Sequence, residues 1–211
     1  LKAFNFLESF SKNNLVYGVN TGFGPMADFT VNKEDQIKLQ YNLIRSHSSG
    51  MGAVLPTKVV KSIMIIRLHT FLQGKSGVSQ SLINTLSNYI DNGIYPDIYE
   101  HGGVGASGDL VQLAHLALGI IGEGKGVNNE GKKDYVSKLI KGSNLQPHKL
   151  ELRDGLAIIN GTACMTALSA INIINSRGLI KWSIKISAMM LEIFGSYDDY
   201  ISKELNQVKL H

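Results

Sequence analysis

The stretch His101-Gly102-Gly103-Val104-Gly105-Ala106-Ser107-Gly108-Asp109-Leu110 places four glycines in ten residues and runs directly into an apolar segment. Ala106, Ser107 and Gly108 bury little surface, and such residues do little to favour a helix. A chain this bare suits a reaction of the backbone with itself. The amide nitrogen of Gly108 can attack the carbonyl carbon of Ala106 and close a five-membered ring, because Gly108 brings no Cβ to the approach. Loss of two waters, one taking the Ser107 hydroxyl, would leave a dehydroalanine-type electrophile in a conjugated imidazolone. Gly102, Gly103 and Gly105 permit the turn, and a helix opening at Asp109 would hold one end of it. The same residues also suit a flexible loop ahead of a helix cap. Ala-Ser-Gly alone does not choose between the two.

Working outward, 211 residues suit one large domain or a piece of a larger one. Hydrophobic residues make up 44% and charged residues 18%, which allows a sizeable core and argues against disorder. The net charge of +4 comes from scattered lysines without interleaved aromatics, so a solvated surface is expected and no nucleic-acid partner. The single cysteine, Cys164, excludes an internal disulfide and a multi-cysteine zinc site, and its apolar setting predicts a buried, inert thiol. The chain begins at Leu1 inside what already reads as an amphipathic helix and ends at residues 206–211 without a closing element. Both ends are expected to be cut, which leaves secretion unread.

Helical periodicity dominates. Residues 1–12 space Phe4, Leu7 and Phe10 along one face. Residues 33–46 open on Glu34 and Asp35 and carry Ile37, Tyr41 and Ile44 on a stripe. Pro56-Thr57 opens a helix through Val59, Val60, Ile63, Ile66 and Leu68 to Gly74. Residues 79–91 and 109–121 form two more helices. Residues 155–176 and 179–198 read as a long helical pair. Residues 125–133, rich in Gly, Asn and charge, predict a hairpin or surface loop. Residues 155–174 are apolar enough to suggest a membrane span, but Asn160, Thr162, Thr166, Ser169 and Asn172 interrupt them, so a helix buried in a bundle is expected and no membrane partner.

Several motifs fail. Gly74-Lys75-Ser76 ends like a phosphate-binding loop, but His69 stands where that pattern needs glycine, and a helix precedes it rather than a strand. Asn20-Thr21-Gly22-Phe23-Gly24 is too short for a dinucleotide site. Gly105 and Ser107 fit a nucleophile elbow, yet Asp109 replaces its last glycine. His47, His101 and His115 share no metal-ligand spacing, so no metal is expected.

Four ordered segments carry a resemblance. GGVGASGDL (residues 102–110) is similar to the signature of the class I aromatic amino-acid lyases, the histidine, tyrosine and phenylalanine ammonia-lyases and related aminomutases. Residues 17–24, YGVNTGFG, resemble the tyrosine loop of that family. Residues 42–50, NLIRSHSSG, resemble its substrate-selecting segment, and residues 155–162, GLAIINGT, its central asparagine helix. The resemblance covers essentially the whole chain, but only the first half or so of a family member. It implies a mainly α fold, a long-helix bundle with an N-terminal loop-rich region that carries the electrophile. An electrophile-bearing part, 1–150, would precede the start of a central helical bundle, 151–211, with the C-terminal half absent.

The resemblance also implies roles. Ala106, Ser107 and Gly108 would form 4-methylideneimidazole-5-one, with no added metal, nucleotide or pyridoxal phosphate. Tyr17 would take the β-proton, and its phenol, ordinarily near a pKa of roughly 10, would need nearby positive charge or hydrogen bonding to do so at neutral pH. Asn160 would donate to the ring carbonyl oxygen. His47, with Ser46, would face the substrate side chain. Ser-His at this place is the histidine-lyase pair, although some Ser-His members act on tyrosine. Gly103 and Val111-Gln112-Leu113 depart from the usual histidine-lyase residues, which raises tyrosine. The groups that bind the substrate carboxylate in the family lie later in the chain than residue 211. The implied function is elimination of ammonia from L-histidine to give urocanate, with tyrosine to p-coumarate next and an aminomutase third. The implied setting is a cytoplasmic homotetramer in which three subunits build each site. A reading of another class is an inactive helical oligomerisation fragment.

Overall fold

The computed structural model describes residues 1–141, 143 and 145–208. It divides into two units, Leu1–Leu168 and Ser169–His211. In the first, helix α1 (Lys2–Phe10) fills most of the predicted 1–12. Helix α2 (Lys33–His47) begins where Asn32 accepts the Asp35 N–H at 2.9 Å, has Glu34 and Asp35 in its first turn, and closes on Arg45 and His47. Acidic groups at the start and basic groups at the end match the helix dipole. Helices α3 (Thr57–Leu72) and α4 (Gln80–Asp91) pack together, α4 opening on the Ser79 hydroxyl, which accepts the Leu82 N–H.

Helix α5 (Leu110–Ile120) forms the centre. Leu113, Ala114, Leu116, Ala117 and Ile120 have no exposure, and the helix packs on α2 and on α7 (Asp154–Ile159). Its apolar residues surround it on all sides, as a fully enclosed helix requires. Short antiparallel strands line the rim. β1 (Met51–Val54) pairs with β3 (Tyr99–His101), and β2 (Tyr95–Pro96) pairs with β4 (Lys125–Val127), which pairs with β5 (Lys133–Tyr135). The segment 125–133 is thus part of a hairpin, one of the two predicted forms. A short helix α6 (Val136–Leu139) follows. Cys164 is buried as predicted, and burial, with the Asp109 charge adding to it, pushes its thiol up to about 11.

The predicted pair 155–176 and 179–198 is corrected. The helix breaks at residues 160–162, and helix α8 runs unbroken from Ala163 to Ile193 through Arg177-Gly178. One interior glycine costs about 1 kcal/mol relative to alanine, too little to stop a helix of 31 residues. The break comes from Arg67, only 5% exposed, whose guanidinium donates to the carbonyls of Ala157 and Asn160, the latter at 2.9 Å. A cation from another helix thus takes the C-terminal carbonyls that continuing the helix would have used. Asn160 is therefore the C-cap of α7, at φ −89° and ψ 100°, and not an interior helix residue.

The start of α7 is pinned by Asp154, which has no exposure. Its carboxylate accepts the Ser79 N–H at 3.0 Å, the Ser79 hydroxyl at 2.7 Å, His148 Nε2–H at 2.9 Å and the Glu151 N–H at 3.1 Å. Asp154→Ala would strand four donors in a dry site. Its expected cost is about 4 kcal/mol, read as a lowered urea midpoint with an unchanged slope.

In the second unit, the α8 residues Trp182, Ile186, Met189 and Met190 are exposed, and Lys181 and Lys185 lie among them. A 3-10 turn (Asp198–Ile201) and helix α9 (Lys203–Asn206), capped by the Ser202 hydroxyl, follow. Among the described residues, the stretch Asp154–Ile193 is long and apolar enough to cross a membrane by length and composition alone.

Candidate active site

A cavity of about 340 Å³ in the first unit is lined by Tyr17, His47, Ser107 and Asn160. Phe23, Gly24, Leu43, Leu110, Leu156 and Ile159 complete the wall. Four residues singled out from four separate segments therefore meet at one place. Its size is within the range of small-molecule sites, and its wall is mostly apolar with a few polar groups.

Ser107 sits at an exposed bend between Ala106 and Gly108. Gly108 holds φ +94°, and a Cβ there would collide with the Gly161 carbonyl oxygen. Only glycine lets this backbone lie against the 160–162 break. The Asp109 N–H donates to the same Gly161 carbonyl at 2.7 Å, and the Asp109 carboxylate accepts the Met165 N–H at 2.8 Å, at the start of α8. Asp109 thus ties the Ala-Ser-Gly segment to the break that follows α7 and to the first turn of α8. The Asn160 side chain makes no hydrogen bond among the described residues and is exposed at the cavity.

Tyr17 is 49% exposed. Its phenol oxygen accepts the Gly24 N–H at 3.1 Å, and its ring meets Phe23 edge-on at 6.1 Å between centroids. Gly18, at φ +71°, lies so close over the Leu156 side chain that a Cβ would overlap it. His47 closes α2, with Nδ1 2.9 Å from the Leu43 carbonyl. A carbonyl only accepts, so Nδ1 carries the hydrogen in that contact. Nε2 is then the ring nitrogen with a lone pair in the neutral imidazole. Ser46 does not line the cavity. Its hydroxyl donates to the Leu43 carbonyl at 3.1 Å and lies 3.1 Å from His47 Nδ1, so it touches the imidazole from behind.

Two further residues shape the site and were not singled out from the sequence. Arg67 stacks over Phe71 at 4.9 Å, and burial holds its guanidinium down at about 10 despite the opposing Asp109 charge. Gln40 has no exposure and lies beneath the Tyr17 loop. The available signal was a polar residue on an apolar stripe: Val60, Met64, Arg67 and Phe71 follow at helical spacing, as do Ile37, Gln40 and Ile44.

The chain belongs to the aromatic amino acid lyase family, whose profile matches residues 2–211. A histidine ammonia-lyase of Bacillus cytotoxicus is 40% identical over 193 residues, which cover 90% of this chain and 38% of that protein. Ergothionase from Treponema denticola superposes with a TM-score of 0.92 at 29% identity, over 98% of this chain and 41% of its own. Histidine ammonia-lyase from Trypanosoma cruzi superposes with a TM-score of 0.91 at 28% identity, over 99% of this chain and 41% of its own. The mainly α, long-helix architecture is the one these structures share. The chain spans about two fifths of the length of the curated relatives it matches.

Proposed function

We propose that the full-length protein is an ammonia-lyase that eliminates ammonia from L-histidine to give urocanate. The meeting of Tyr17, His47, Ser107 and Asn160 around one cavity carries this reading. Ala106, Ser107 and Gly108 fit 4-methylideneimidazole-5-one: the Gly108 backbone occupies a cleft that any Cβ would fill, and Asp109 anchors the end of the segment. When formed, that group supplies an electrophilic methylene carbon. Asn160, its amide uncommitted elsewhere among the described residues, would hold the group by donating to its carbonyl oxygen.

Tyr17, as its phenolate, takes the β-proton of the substrate on its oxygen. The Cβ–H electrons become the new carbon–carbon double bond, and the Cα–N bond breaks to release the amine as ammonia. Phe23, Leu43, Leu156 and Ile159 offer the aromatic ring an apolar wall. His47 Nε2, left as an acceptor by the Leu43 contact, orients a ring that carries its own donor. An imidazole N–H meets that requirement, and so does a phenol O–H, which makes tyrosine the second reading. A phenylalanine ring offers no donor. The same arrangement serves an aminomutase, which differs in returning the amine to Cβ.

The exposed apolar residues of α8 support burial of this helix against further protein, and a homotetramer is the assembly we propose for it. Arg177, Lys181 and Lys185 fall mid-helix at four-residue spacing, which supports an aqueous rather than a membrane setting for this helix. The test offers histidine, tyrosine and phenylalanine to the full-length protein and follows each unsaturated acid by absorbance. Urocanate is expected to form fastest. Faster p-coumarate selects tyrosine, a β-amino acid product selects the aminomutase, and no product from any of the three overturns the reading.

A further inference from the structure

Gln40 lies on α2 with no exposure, and both ends of its amide are engaged. Its Nε2–H donates to the Gly18 carbonyl at 2.9 Å, and its Oε1 accepts the Leu156 N–H at 2.9 Å. Those partners lie 22 and 116 residues away in the chain. The Gly18 carbonyl belongs to the residue just after Tyr17. The Leu156 N–H is one of the opening amides of α7, which lack a partner inside their own helix, and α7 ends at Asn160. Further along α2, Leu43 and His47 follow Gln40 at helical spacing and line the cavity. One buried amide therefore sits where the tyrosine loop, the asparagine helix and the histidine helix converge.

We infer that Gln40 is a positioning residue that sets Tyr17 against the Asn160 helix by holding the Gly18 carbonyl and the Leu156 N–H at once. It touches neither phenol nor substrate. The inference rests on the reading of the site given above. The chemistry of the amide makes the role separable from plain packing, because the site demands one donor and one acceptor in a fixed order. A carboxylate can accept from Leu156 but turns a second acceptor toward the Gly18 carbonyl. A neutral carboxyl restores the order, its carbonyl oxygen accepting and its O–H donating. The titratable groups on the elements around Gln40 are Tyr17 beside Gly18, Arg153 and Asp154 ahead of Leu156, His47 along the same face of α2, and, from the packed α5, its N-cap Asp109 and His115. Wild type carries all of them, so the pH effect is read as the ratio of variant to wild type. Asp154 is already committed to Ser79, His148 and the Glu151 N–H.

The experiment compares Gln40→Glu, Gln40→Met and wild type in the full-length protein. Ring formation is read as loss of the mass of two waters from the peptide bearing residues 106–108. At about pH 9, Gln40→Glu is expected to retain ring formation but lose about a hundredfold in kcat/KM relative to wild type. Much of that deficit should vanish as the pH falls to about 6, across the range where a buried carboxyl takes up its proton. Gln40→Met keeps the volume without either hydrogen bond. Its deficit should be flat with pH, and chymotrypsin should cut it faster after Tyr17. A Gln40→Glu deficit that does not change with pH, or wild-type kcat/KM throughout, overturns the positioning role. Should Gln40→Glu fail to fold, Gln40→Met decides: unaltered kcat/KM and unaltered cleavage after Tyr17 overturn it. A wild type that never loses the two waters overturns the reading of the site, and the role of Gln40 with it.

Discussion

Ser107→Ala in the full-length protein is expected to lower turnover by at least about a thousandfold, an increase of roughly 4 kcal/mol in the barrier. The peptide bearing residues 101–110 should then keep the mass of the second water and never show the loss of two. The hydroxyl is the leaving group of the second dehydration, and alanine has nothing to lose. The fold should not suffer, because Ser107 is exposed and its side chain makes no hydrogen bond among the described residues. Unchanged turnover with a normal melting temperature would remove Ser107 from the mechanism.

Asn160→Ala is expected to cost about a hundred- to a thousandfold in kcat, the range for losing one donor aimed at developing negative charge. Stability should change by less than about 0.5 kcal/mol, as for other exposed positions. The reason is a division of labour within one residue. The Asn160 carbonyl is held by Arg67, and its N–H donates to Leu156, so the backbone carries the structure. The side chain is left to the cavity. A large loss of stability in Asn160→Ala, with kcat nearly intact, would make the side chain structural. Mass measurement on the same sample shows whether ring formation persists, which separates a catalytic defect from a failed cyclisation.

Much of the site was legible because its chemistry is local. In the proposed cyclisation Ala106, Ser107 and Gly108 react with one another, so their order along the chain is the reactive geometry in outline. The helices at 33–47, 57–72, 80–91 and 110–120 were legible for a similar reason: apolar spacing and end caps act within one or two turns. Asn32 and Ser79 cap α2 and α4 through contacts only three residues long.

What could not be read depended on groups far away in the chain. The apolar run from residue 155 onward carries one local signal to stop, the turn-forming pair Asn160-Gly161, and that pair by itself does not require the helix to end there and restart at Ala163. Gly178, the obvious weak point, lies inside an unbroken helix. The stop is imposed by Arg67, 93 residues from Asn160, which competes for carbonyls that the helix would otherwise use. Ser46 and His47 are adjacent in sequence, yet only His47 lines the cavity, because consecutive residues on a helix point about a third of a turn apart. Gln40 and Arg67 looked like polar interruptions of core stripes until the fold supplied their partners.

The sequence by itself determined the helical class, the residues proposed to form the electrophile and the four segments that carry the candidate site, since composition and short spacing specify reactivity and periodicity. Tertiary structure decided that the Asn160-Gly161 pair ends the asparagine helix, and it alone decided which face of α2 meets the cavity. It also decided how the tyrosine loop is held. Each of those depends on satisfying buried polar groups, and a buried donor or acceptor is matched by whatever the fold brings beside it, at any distance along the chain.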